Sequence, residues 1–251
     1  MIKSLLVSRY RLTVRTQDSQ SCNRGSIPRS GTTLNLVHEL MVFDISKSSN
    51  KKIEKFYQEA IDSLGEFYGI NWNVGMPLIL LLNSRKDIDR IKGRKTEDWV
   101  VGFTDGSKKC LFLLSPETYE KESSHKYSDE EYSALIKHEL SHLYSRILYE
   151  GYIPVWLIEG IAIYSSGQLA LKRRPKELKN FLEFFDKGGS GLYGEAGFAV
   201  EVLIKQFGKE RFLNFYKNLK DVESEEDLKV LFKKNYGGDL NYKFFNKYIQ
   251  L

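Results

Sequence analysis

His138-Glu139-Leu140-Ser141-His142, followed after eleven residues by Pro154-Val155-Trp156-Leu157-Ile158-Glu159-Gly160-Ile161-Ala162, is the stretch on which the reading of this chain turns. The first segment lies inside a well-specified helix. Ser128 and Glu131 stand at capping-box spacing, Gly151 marks a stop, and Ile136, Leu140, Leu143, Tyr144 and Ile147 supply an apolar face, so a helix is expected over about 129–150. Residues at i and i+4 lie about 40° apart around a helix, so both imidazoles point into one small space. Two neutral imidazoles held there suit Zn²⁺. Glu139 lies about 100° round from His138, near the ion but not aimed to be its ligand. That is where a carboxylate can take a proton from an activated water.

The third ligand decides what kind of site this is. A metzincin would continue with Gly and His at 145 and 148, where this chain has Ser145 and Leu148. Glu150 is on the same helix and too far along it to reach back. Glu159 is better placed. Eight residues run outward from His142 to Glu150, Gly151 and Pro154 form a turn, and an antiparallel helical return of equal length brings Glu159 level with the histidines. Pro154 suits the first turn of that returning helix. The flanks of Glu159 are almost wholly apolar, where an unpaired carboxylate would be costly. Two histidines and a glutamate, with water in the fourth position, form a catalytic zinc set.

With these residues in view, the chain resembles the gluzincin superfamily, specifically its peptidase MA-like proteins. The resemblance runs over about residues 36–250. The two zinc helices carry it. Trp99–Phe103, Leu111–Ser115, and Tyr193 with Ala196 and Phe198 extend it more loosely. It implies a zinc metallopeptidase with one Zn²⁺ per chain on His138, His142 and Glu159, and Glu139 as general base and then acid. It also implies a peptide or protein substrate lying extended along a sheet edge, here strand 110–114. Tyr193 is the leading donor to the oxyanion that forms at the attacked carbonyl, with Tyr164 and His125 behind it. One departure stands out. Relatives often carry an acid four places after the ligand glutamate, where it supports a zinc histidine, and here that position is Ile163.

The remainder of the chain reads as α+β. Leu40–Ile45 is expected to be a strand. Ile53, Phe56, Tyr57, Ala60, Ile61, Leu64 and Phe67 recur at helical spacing up to Gly69, and Pro77–Leu82 reads as a short buried strand. Trp99–Phe103 and Cys110–Leu114 flank an Asp105-Gly106 turn, as in a hairpin. After Pro116 helices are expected at about 129–150, 154–168, 175–187, 193–207, 209–219, 225–235 and 239–250. This divides the chain into a sheet-containing part, 34–127, with a small mixed or antiparallel sheet and a helix, and a helical part, 128–251, carrying the zinc helices. His38-Glu39-Leu40 has Val42 where a second histidine would stand and reads as strand. Lys172-Arg173-Arg174-Pro175-Lys176 reads as a solvated loop, and Cys110 as a small buried residue.

Residues 1–33 differ, with five arginines, ten Ser or Thr and Asp18 as the single acid. That composition suits an organellar transit peptide, a disordered tail or an early start codon, and the alternation of Tyr10, Leu12 and Val14 also allows a short strand. Ser4–Ser8 is too short for the apolar heart of a secretory signal, and a cytoplasmic location is expected. Two cysteines exclude a disulfide framework and a thiolate metal cluster, and no apolar run is long enough to span a bilayer. A net charge of +5 gives no reason to expect nucleic acid. Two other classes compete with the peptidase: a zinc-holding binding or regulatory module that has lost turnover, and a helical scaffold without metal.

Overall fold

Asn50 starts the first helix, α1 (Lys51–Tyr68), by accepting the Ile53 N–H at 3.2 Å, and Gly69 ends it at a φ of 67°, a conformation that favours glycine. The computed structural model describes residues 47–149, 151, 153–189 and 191–249, all within one unit, Asp44–Leu251. The strand expected at Leu40–Ile45, the His38-Glu39 pair and the tail 1–33 lie outside these residues.

Next come β1 (Leu78–Leu82), α2 (Arg85–Lys92), β2 (Gly102–Asp105) and β3 (Cys110–Leu114). β1 pairs parallel with β3, β2 pairs antiparallel with β3, and the order is β1-β3-β2. All five residues of β3 are buried, Cys110 among them, as befits an inner strand. Strand 110–114 therefore offers no edge to a substrate, because both of its sides are already hydrogen-bonded. Among the described residues β1 is an edge of the three-stranded sheet, and it is only partly the buried strand expected, with Leu78 56% exposed. The parallel crossover from β1 to β3 passes through α2, so the expected hairpin is only the β2–β3 part of the sheet.

A short α3 (Tyr119–Glu122) leads to α4 (Asp129–Leu148). Ser128 caps α4 by accepting the Glu131 N–H at 3.1 Å, while the Glu131 carboxylate turns aside to His125 instead of closing the capping box. Three buried hydroxyls fix α4 in place. Tyr132 donates to the Leu114 carbonyl of β3 at 2.7 Å, Tyr144 donates to Ile61 O of α1 at 3.2 Å, and Tyr68 shares a 2.5 Å hydrogen bond with Ser141. Each places a polar tip on an otherwise apolar interface, which sets rotation as well as distance.

α5 (Val155–Ser165) follows, with Pro154 at its cap. The segment expected to be a helix at 175–187 is irregular apart from one 3₁₀ turn, Phe181–Glu183. Its backbone groups are used elsewhere. The Phe185 and Phe184 carbonyls accept the Val155 and Trp156 N–H groups at 2.9 and 3.0 Å, satisfying the open end of α5. The buried Glu195 carboxylate accepts N–H groups of Lys179, Asn180 and Phe181. Glu195 belongs to α6 (Leu192–Phe207), which packs along α5. That packing requires Gly160, because a Cβ there would stand 2.7 Å from the Ala196 carbonyl oxygen. α7 (Lys209–Lys217), α8 (Glu225–Tyr236) and a short α9 (Tyr242–Asn246) complete a mostly helical α+β structure with one small mixed sheet. α9 covers only part of the helix expected at 239–250. Among the described residues no helix is long and apolar enough to cross a membrane.

Candidate metal centre

α4 and α5 run back past one another, and this brings His138, His142 and Glu159 together. One ligand atom from each lies within 4.8 Å of the others. His138 Nε2 is 3.3 Å from one Glu159 oxygen, and His142 Nε2 is 3.9 Å from the other. The rings sit 4.8 Å apart at 88°, edge to face and not stacked. Gly160 allows α6 to close over α5 directly behind the ligand residue.

The electrostatics are those of a pair of bases around an acid. Burial works against a charge on His138, but the Glu159 carboxylate outweighs it and holds this imidazole above its usual range. His142 is pushed below the usual range, by burial first, with its neighbour His138 adding to the effect. Burial likewise disfavours the Glu159 charge, yet the two histidines overcome it and keep the carboxyl ionised. The Nδ1 atoms of both histidines are buried and meet no partner at hydrogen-bond geometry among the described residues, although Gln168 lies near enough to His138 to favour its charged form. Ile163, which stands where the resemblance implies an acid, is buried against α6. A Cβ at Gly197 would come within 2.3 Å of its side chain.

Glu139 is also buried, one step round α4. Thr104 of β2 places its hydroxyl 2.6 Å from Glu139 Oε2 and 2.9 Å from Glu139 O, so the one hydroxyl proton ties edge strand to carboxylate. Gly102 lets this strand come close, since a Cβ there would lie 2.5 Å from the Leu113 side chain and 3.8 Å from Glu139 Cγ. Sequence reasoning did not single out Thr104. Its placement follows from strand register, for which no local motif exists.

These residues line a cavity of about 820 Å³. β2 contributes Gly102, Phe103 and Thr104 to its wall, and among the described residues its outer edge is unpaired. Tyr193, at the start of α6, lines the cavity with its ring 5.8 Å from that of Trp99. Burial first, then the Glu159 and Glu139 charges, push its phenol pKa up, so the hydroxyl keeps its proton at neutral pH. His125 also reaches the cavity, but its ring nitrogens are engaged by Glu131 at 3.2 Å and the Trp99 carbonyl at 3.1 Å. Tyr164 is not among the lining residues, and its ring packs against Phe67. The 172–176 loop is only partly solvated. Arg174 binds Glu201 at 2.5 Å, while Lys172 and, just before it, Gln168 turn to the cavity.

Compared with family models, curated proteins and solved structures, the chain finds no match in any of the three.

Proposed function

We propose that this chain is a zinc-dependent peptidase of the gluzincin type, cleaving peptide bonds with a metal-activated water. The observation that carries the reading is the convergence of two Nε2 atoms on the Glu159 carboxylate at 3.3 and 3.9 Å, beside a separate buried carboxylate on Glu139. Ligand atoms on a tetrahedral zinc with bonds of about 2.0–2.2 Å lie roughly 3.4 Å apart. One atom from each of His138, His142 and Glu159 lies within 4.8 Å of the others, so the three can hold the ion if the set closes by up to about an ångström. When bound, zinc supplies a Lewis acid that makes water acidic near neutral pH and polarises a carbonyl.

The chain's own residues supply the remaining parts. Glu139 would take the proton from the attacking water and return it to the leaving nitrogen, and because water itself is the nucleophile no acyl-enzyme would form. Thr104 holds Glu139 in one rotamer while doing so. Tyr193 keeps its proton and is the donor available to the oxyanion. The edge of β2 can accept an extended peptide by strand pairing, with Trp99 and Phe103 offering apolar contact beside it.

A second reading is a zinc-holding module with weak or no turnover. The two unpartnered Nδ1 atoms favour it, because histidine ligands are normally oriented by such a partner, often with 10–100-fold effects on affinity or activity. An intact Glu139 held by Thr104 favours the enzyme. Zinc titration of metal-free protein followed by a peptide-library digest tests the proposal. One zinc per chain, lost on His142→Ala, with zinc-dependent cleavage supports it. Zinc binding without cleavage supports the module, and equal zinc in parent and His142→Ala removes both.

A further inference from the structure

The cavity around the metal triad is lined by four cationic side chains, Lys92, Arg94, Arg146 and Lys172. Apart from the triad and Glu139, its only acid among the described lining residues is Glu97. The charges of Glu159 and Glu139 are formally matched by a divalent ion, so they leave the rim cations uncompensated once the site is loaded. Two of the four have local partners: Lys92 lies 4.6 Å above the Phe103 ring, and Arg94 reaches Glu97 at 3.9 Å. Arg146 is exposed, its guanidinium lying over Gly106 of the hairpin turn, where water screens it.

Lys172 is different. It is partly buried at the end of the 3₁₀ turn Gln168–Leu171, which Gly167 starts with a φ of 80°. No ion pair or hydrogen bond to its ammonium forms among the described residues. Glu131 is the acid that acts on it electrostatically, but the Glu131 carboxylate is in contact with His125 and lies beyond ion-pair distance of Lys172. Burial lowers the Lys172 pKa, the sign of an ammonium that has lost water without gaining a counterion. A partly buried, uncompensated charge facing a cavity is stabilised by an anion entering that cavity.

We propose that Lys172 is a specificity residue that takes a carboxylate of the bound peptide, so that the cavity prefers acidic or carboxylate-terminated substrates. This rests on the peptidase reading for the nature of the ligand, but its test does not depend on turnover. The carboxylate has two possible sources, an acidic side chain and a free C-terminus, which differ only in where the substrate chain ends. One charge-assisted hydrogen bond in a partly dry site corresponds to about tenfold or more in affinity.

The test uses zinc-loaded Glu139→Gln protein and fluorescence anisotropy with three labelled alanine-rich hexapeptides: a neutral C-terminal amide, the same peptide with a free C-terminal carboxylate, and the amide with a central glutamate. At least one carboxylate peptide should bind about tenfold more tightly than the neutral amide, and which of them does so identifies the source. Lys172→Met should erase that preference without changing affinity for the neutral peptide, whereas Lys172→Arg should keep part of it. Equal binding of all three peptides, no binding of any, or a preference that survives Lys172→Met would overturn the assignment. The comparison of peptides on the Lys172-containing protein scores the preference even if a variant misfolds. Failure of the parent protein to cleave these or any other peptides would count against the peptidase while leaving the carboxylate preference measurable.

Discussion

Gly160→Ala gives a sharp structural test of how Glu159 is held. An alanine Cβ at 160 would stand 2.7 Å from the Ala196 carbonyl oxygen, 2.7 Å from Val200 Cγ2 and 3.1 Å from the Ala196 carbonyl carbon. Two of these three atoms are backbone, so α5 itself must move away from α6. The variant also gains helix propensity, about 1 kcal/mol for alanine over glycine, which would mask part of the strain. Gly194→Ala on α6 is the matched control, because a Cβ there meets nothing within 4 Å. Both variants gain the propensity term, so their difference isolates the overpacking, expected at about 1–3 kcal/mol. Urea unfolding of the metal-free proteins measures that difference. A move of roughly half an ångström in α5 also displaces Glu159 from the histidines, and zinc affinity in a competition titration should fall about tenfold for Gly160→Ala alone. If Gly160→Ala is as stable as Gly194→Ala and binds zinc as tightly as the parent, the packing account of Glu159 is refuted.

Other outcomes follow from single contacts. Thr104→Val removes the hydroxyl that lies 2.6 Å from Glu139 Oε2, and should lower peptidase kcat about tenfold while leaving zinc affinity unchanged, as steady-state rates and zinc titration would show. A parallel loss of zinc would show instead that Thr104 supports the fold of the whole site. Glu201 is buried and bound by Arg174 at 2.5 Å and Lys205 at 2.7 Å; burial opposes its charge, but the two cations hold its pKa below the usual carboxylate value of 4.5. Its contribution to stability is thus present above about pH 4.5 and lost as pH falls through the depressed folded value. Glu201→Gln should cost about 1–2 kcal/mol at pH 7 and progressively less below pH 4 in chemical unfolding, and a constant difference across that range would contradict the pairing.

The parts of this structure legible in the sequence are those set by local chemistry. Ser128 and Gly69 mark helix ends through a side chain and through backbone freedom, and His138, His142 and Glu159 are brought together by helical spacing and a turn. What was not legible depends on partners distant in sequence. Nothing in 110–114 distinguishes an inner from an edge strand until β1 is seen to pair with it across α2. α2 itself buries only Ile88 among mostly charged residues, too short an apolar pattern to read. A helix is expected at about 175–187, but Glu195 and the open end of α5 take the backbone groups that a helix would need. Lys172 reads as part of a solvated basic loop, and only the packing of the 3₁₀ turn before it carries it to the cavity.

As the base of a zinc peptidase Glu139 would be needed for turnover, and as a structural acid only for folding. Glu139→Gln keeps the size of the side chain and its ability to hydrogen-bond Thr104, and removes only the basic carboxylate. The decisive measurement is the rate of peptide cleavage by parent and Glu139→Gln proteins at matched zinc content. The variant should fold, retain one zinc per chain and lose at least about 10²-fold in rate. Undiminished cleavage by zinc-replete Glu139→Gln would contradict the role of Glu139 as the base.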